Sequence, residues 1–193
     1  MVDAPTTDSW RIRRIVGHMF PLLIVLSVIV LWAGLTLDAA EALLEEFALL
    51  AVMVPTMIGM GGNLGAILAS RLSTRLHLGT ASFDLGDRML WANIGAIVGL
   101  AVTVFIALAV GTWLIGLAVG AQLGLGELLV ISLGSGLLIT GIGIVASLLV
   151  TYLSYRLGID PDDTTIPIVT NIVDVFGMVI FLAIAAWVLE VSG

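Results

Sequence analysis

The sequence contains no cysteine and no lysine. The first absence excludes disulfides and thiolate metal sites, and with them any reading of redox compartment from cysteine pairing. The second leaves seven arginines against 14 acidic residues, a net charge of −7 and an isoelectric point near 4.5. A chain so charged, with no long basic run, is not built for nucleic acid. Acid-rich loops without lysine suit a protein that works in high salt. Charge of either sign is scarce, at 11% of residues against 60% hydrophobic and a mean hydropathy of +1.21. That balance places the chain among integral membrane proteins rather than soluble domains with a core. Enzyme chemistry finds little footing. No Ser/His pair lies at matched depth, no phosphate-cradling Gly-Lys motif occurs, and an intramembrane aspartyl protease would need a second membrane aspartate. The two histidines, His18 and His77, read as interfacial or loop residues.

What the chain has in abundance is long apolar segments. Five of them, at 17–37, 47–70, 89–119, 127–155 and 166–191, each exceed the roughly 20 residues that a 30 Å hydrocarbon core requires. The expected fold is all-α and polytopic: one transmembrane domain over residues 1–193 with five helices and no soluble regulatory domain. Arg11, Arg13 and Arg14 ahead of the first run imitate a signal peptide. The run from Gly17 to Leu37 is longer than an h-region of about 7–15 residues, so it is read as the first membrane helix.

Orientation follows from the arginines. With five spans, Arg11, Arg13, Arg14, Arg71, Arg75, Arg88 and Arg156 all fall on one side. The other side carries Asp38, Glu41, Glu45, Glu46, Glu127 and Glu190 and no basic residue. The expected topology is N-in, C-out in the cell (plasma) membrane. Trp10, Trp91, Tyr152 and Tyr155 anchor the inner interface, and Trp32, Trp113 and Trp187 the outer one.

Asp174 is the one ionisable residue well inside any of these segments. A charge at that depth costs about 2.5–3.5 kcal/mol on insertion scales, so it faces a bundle interior or water and marks function. At helical spacing Pro167, Thr170, Asn171, Asp174 and Gly177 share a polar or small face. Span two carries a similar stripe, Pro55, Gly59, Gly62, Asn63, Ala66 and Ser70, and span four another, Gly136, Thr140, Gly143, Ser147 and Thr151. Span three has Gly95 and Gly99, with Asn93 near its start. Each stripe alone is explained by close helix packing; with a buried carboxylate they also fit a polar path. Proline and glycines in the centre of span two either kink the helix or break it, and a break supplies carbonyl oxygens to cations. Asp160, Asp162 and Asp163 read as a helix start, with Thr164 or Thr165 as cap and Pro167 in the first turn. A divalent-ion vestibule is the sharper reading of the same carboxylates.

Pro55-x3-Gly59-x2-Gly62-Asn63, followed by Leu68-Ala69-Ser70-Arg71-Leu72-Ser73-Thr74, closely resembles the membrane domain of the MgtE and solute carrier 41 family of magnesium transporters. Gly158-Ile159-Asp160-Pro161 leading through Pro167 to Asp174 is similar to that domain's last helix. The resemblance covers spans two to five, and its Ala69-Ser70-Arg71-Leu72-Ser73 spelling is closer to the solute carrier 41 branch. Three departures stand out. Bacterial members commonly carry a Gln after the Gly-Asn, where this chain has Ile67 and Leu68, and they carry a cytoplasmic sensing region that is missing here. Solute carrier 41 chains contain two five-helix halves; this sequence contains one.

The resemblance implies a Mg²⁺ channel or transporter with Asp174 as the filter carboxylate of a pore between two copies. Mg²⁺ holds its water tightly, so few protein groups need touch it directly. Thr170 and Asn171 would orient waters, and Asn63 with the carbonyls around Gly59 and Gly62 would line the path. Mg²⁺ is then cargo, membrane lipid the surroundings, and the expected assembly a homodimer, or a heterodimer with another five-helix half. An ion-coupled Mg²⁺ exchanger and a non-conducting, partner-dependent subunit remain as alternatives.

Overall fold

The computed structural model of the chain describes residues 12–80, 86–121 and 123–192, and of residues 12–15, 18 and 192 the backbone alone. Readings that involve Trp10 and Arg11, or the side chains of Arg13, Arg14 and His18, lie outside the described residues.

Seven helices follow one another: α1 (Ile12–Ala33), α2 (Leu35–Ala39), α3 (Glu41–Glu46), α4 (Ala48–His77), α5 (Arg88–Val119), α6 (Leu125–Arg156) and α7 (Pro161–Ser192). Among the described residues there is no strand. Five of the helices are long and apolar enough to cross a membrane, as their sequences predict. α5, α6 and α7 have 32 residues each, about 48 Å at 1.5 Å per residue. They exceed a 30 Å hydrocarbon core and therefore tilt or project beyond it. The two short helices carry the acidic turn, with Asp38, Glu41, Glu45 and Glu46 all exposed.

The punctuation is local chemistry. The turns after α4, α5 and α6 contain Gly79, Gly120 and Gly158, all at positive φ, where a residue without a Cβ costs least. α5 starts on Asp87, whose Oδ1 accepts the Met89 N–H at 2.8 Å. Its Oδ2 accepts from Arg75 Nη2 at 2.6 Å, and that bond holds the carboxyl below its ordinary range. Glu127 reaches back from the first turn of α6 to accept the Gly124 N–H at 2.8 Å. α7 begins earlier than expected. Neither Thr164 nor Thr165 caps it: Asp160 Oδ1 accepts the Asp162 N–H at 3.0 Å, and Pro161 takes the first helical position. Proline already has the fixed φ that position wants and lacks only an N–H that would be unpaired there. Pro167 consequently sits inside the helix rather than in its first turn.

α7 packs on α6 and α4, α5 packs on α6, and α1 lies against α7. The contact surfaces are built on small residues. A Cβ added to Gly65 of α4 would stand 2.8 Å from Val169 Cγ1 and 3.5 Å from the Gly143 Cα of α6. Ser147 Oγ donates to the Gly65 carbonyl at 2.8 Å, and Ser132 Oγ donates to the Phe105 carbonyl of α5 at 2.7 Å. A Cβ on Gly136 would run into the Phe105 ring. The small stripe of α6 is therefore a packing surface, with Gly136, Thr140, Gly143, Ser147 and Thr151 all buried. Gly95 and Gly99 of α5 face open space instead.

This packing is testable by thermal unfolding in detergent. Gly136→Ala should destabilise by about 1–3 kcal/mol, the usual cost of overpacking. Gly95→Ala should be neutral or stabilising by up to about 1 kcal/mol, since only helix propensity changes there. The opposite ranking would refute the Gly136–Phe105 contact.

Candidate functional site

The site forms where α7 crosses α4. Val169 and Val173, both fully buried, face Gly65 and Gly61, so the residues one step further round the helix turn away from the core. Thr170 and Asp174 come up against Gly62: a Cβ there would lie 3.7 Å from Thr170 Cγ2 and 3.8 Å from Asp174 Oδ1. Asp174 is 13 residues into α7, about 20 Å from its start, and so lies well within the span. It is half-buried.

Thr170 Oγ1 donates to the Ile166 carbonyl at 3.0 Å, with the Pro167 carbonyl at 3.1 Å. Asn171 Nδ2 donates to the same Pro167 carbonyl at 2.9 Å. A carbonyl only accepts, so the amide nitrogen must face it and Asn171 Oδ1 is left as an acceptor. Asn63 is exposed on α4, one residue beyond Gly62. A shallow recess continues from it along Ala66, Ile67, Ser70 and Arg71. Arg71 Nη1 donates to Asn93 Oδ1 of α5 at 2.9 Å, and Asn93 Nδ2 donates to the Met89 carbonyl at 2.8 Å.

Of the residues singled out in the sequence, Asp174, Thr170 and Gly62 come together, with Asn63 and Asn171 flanking them. Gly59 is on the open side of α4, and a Cβ there would meet nothing within 4 Å. Of the two readings of span two, a kink or a break, the break does not occur. α4 runs unbroken for 30 residues through Pro55 and every glycine, although a proline at the eighth helical position leaves the Ala51 carbonyl without its usual intrahelical N–H. Gly61 and Gly65 serve close approach rather than unwinding. Gly177, grouped with Asp174 by helical spacing, is buried beside Ile139 of α6. Sequence reasoning overlooked Gly61 and Gly65, which seat Val173 and Val169; their small-x3-small spacing was the available signal. It also left His77 apart from Asp160, although their side chains stand 3.6 Å apart.

The arrangement is a carboxylate deep in a span, fixed by helix packing, flanked by neutral oxygen and amide groups, and open on one side. Such a set holds a hydrated hard cation better than it performs bond chemistry. Comparison with known proteins points the same way. The family model for MgtE, described as a divalent cation transporter, matches residues 54–184. That range includes Gly59, Gly62, Asn63, Thr170, Asn171 and Asp174. The magnesium transporter MgtE of Thermus thermophilus is 29% identical over 154 residues, covering 80% of this chain and 32% of that protein. The chain thus spans about a third of the length of this relative. With five apolar helices able to cross a bilayer and a match over most of its length, the chain is a multi-pass membrane protein that belongs to the MgtE family of divalent cation transporters.

Proposed function

We propose that the chain transports Mg²⁺ through a pore on the two-fold axis of a homodimer, with Asp174 as the filter carboxylate. The observation that carries this reading is the position of Asp174: deep in α7, against Gly62, and half-buried on an open face. A carboxylate turned to lipid at that depth is costly. A second copy on the open face removes it from lipid and adds a second carboxylate, so two negative charges balance one Mg²⁺. Cyclic two-fold pairing achieves this without further sequence. Mg²⁺ keeps its water in such a site. Asp174 accepts hydrogen bonds from the bound waters, Asn171 Oδ1 and Asn63 orient them, and Thr170 and the backbone at Gly59 and Gly62 shape the path.

Flux into liposomes containing this chain alone tests the assignment. Asp174→Asn should lower Mg²⁺ flux at least about tenfold, because hydrogen bonds to a charged group contribute about 1.5–3 kcal/mol. Asn63→Ala should lower it about fivefold, the effect of one neutral bond of about 1 kcal/mol. Wild-type Mg²⁺ flux through Asp174→Asn would overturn the filter.

The topology proposed is N-in, C-out, from the arginines. Arg71, Arg75, Arg88 and Arg156 lie at the α4–α5 and α6–α7 turns, and the acidic helices α2 and α3 at the other end of α4. The chain has no native cysteine, so single cysteines report cleanly. In intact cells a membrane-impermeant maleimide should label Ala42→Cys, and Thr80→Cys only after permeabilisation; the reverse pattern would invert the topology.

For the dimer, Asn171→Cys should give a disulfide-linked or short-crosslinker-bridged pair if the two last helices face the axis. Mass measurement in detergent gives an independent reading. A monodisperse monomer that resists crosslinking and still carries Mg²⁺ after reconstitution would rule the dimeric pore out.

A further inference from the structure

α4 ends at His77 and α7 begins at Pro161, and the two ends meet at the arginine-rich side. His77 Nδ1 lies 3.1 Å from the Ser73 carbonyl one turn back. A carbonyl oxygen only accepts, so Nδ1 carries the proton of that bond. Nε2 stands 3.6 Å from Asp160 Oδ1, and Asp162 Oδ2 is 3.9 Å from the other ring nitrogen. One ring nitrogen and one oxygen from each carboxylate all lie within 4.8 Å of one another. The Asp160 oxygen is fixed by the Asp162 N–H that it accepts at 3.0 Å.

We infer that His77, Asp160 and Asp162 form a binding site for a first-row transition-metal dication of the Zn²⁺ type, distinct from the Asp174 path. Three independent features carry this. The first is the spacing. Neither ring-to-carboxylate distance is short enough for a charge-assisted hydrogen bond, which closes to about 2.7–2.9 Å. Tetrahedral ligands at 2.0–2.2 Å from Zn²⁺ stand about 3.4 Å from one another, close to the 3.6 Å between Nε2 and Asp160 Oδ1. Octahedral Mg²⁺ at 2.0–2.1 Å would want neighbours about 2.9 Å apart. The second is the donor set: an imidazole with two carboxylates suits Zn²⁺ and its neighbours, whereas Mg²⁺ takes oxygen ligands. The third is the bond from Nδ1 to the Ser73 carbonyl. An imidazole that ligates through one nitrogen commonly donates its other N–H to a backbone carbonyl, which fixes ring and tautomer.

All three side chains are half-exposed, between 51% and 60%. The fourth position is therefore open to water, and small rotations close the remaining gap. The ligands come from α4 and from the start of α7, the helices that carry Gly62 and Asp174. A metal here braces those two helices at one end. The site itself does not depend on the transport reading.

The test is Zn²⁺ binding to purified, untagged chain in detergent, by titration calorimetry, with Zn²⁺ as the only added metal. Wild type should bind one Zn²⁺ per chain at this site, undisplaced by millimolar Mg²⁺, and Zn²⁺ should raise its melting temperature by mass action. His77→Gln and Asp162→Asn should each weaken binding at least about tenfold, the lower limit for losing even an outer partner of a metal site. Asp162 is exposed in the first turn, so its variant keeps the fold should His77→Gln fail to. Asp174→Asn should bind Zn²⁺ as wild type does, whatever it does to Mg²⁺ flux. Undiminished Zn²⁺ affinity in Asp162→Asn, displacement by Mg²⁺, or loss of the site in Asp174→Asn would each overturn the inference.

Discussion

The close approach of α4 to α6 and α7 is the constraint on which the rest depends. In lipid there is no hydrophobic drive between helices, so association rests on packing and interhelical hydrogen bonds. Gly65 and Gly143 give both. Their backbones come near enough for Ser147 Oγ to reach the Gly65 carbonyl at 2.8 Å, and Val169 and Val173 of α7 fill the seam that results. Because Val173 is locked into that seam, the next residue, about 100° further round the helix, must face outwards and across α4. Asp174 is therefore positioned by apolar and small neighbours.

At the arginine end polar contacts take over. Arg75 joins α4 to the cap of α5 through Asp87, and Arg71 is drawn to Asn93. The Arg71–Asn93 bond is exposed, whereas the Arg75 and Asp87 side chains are only 14% and 13% exposed. Their effect is geometric: two of the cations at this end are held by partners on α5, and Asp87 is kept ionised in its role as helix cap by the same guanidinium.

Much of this was legible in the sequence because membrane constraints are written in composition. Length and hydropathy sufficed for the five helices, and the lone intramembrane Asp174 marked the candidate site. Two motifs about 110 residues apart carried the family. What was not legible was which face of each helix met which neighbour. Helical spacing grouped Gly177 with Asp174, yet Gly177 packs on Ile139, because a face wide enough to hold five residues spans both a packed and an open sector. The start of α7 was misplaced for a different reason. Thr164 and Thr165 have the chemistry of caps, but Asp160 followed by Pro161 is a stronger start, and the threonines became interior residues. His77 and Asp160 were each read correctly as polar residues at helix ends. Only the antiparallel docking of α4 on α7 brings them together.

Gly62 separates the two demands made on α4. A Cβ on Gly61 or Gly65 would collide with Ile139 or Val169, so those glycines are needed for the helices to meet at all. A Cβ on Gly62 would find its nearest atoms at 3.7–3.8 Å, an ordinary contact that packing tolerates. Sterics alone therefore do not require glycine at this position. Its neighbour across the gap is the carboxylate of Asp174. The same helix thus carries glycine in two settings: at 61 and 65 the neighbouring helices leave no room for a Cβ, and at 62, beside Asp174, they do.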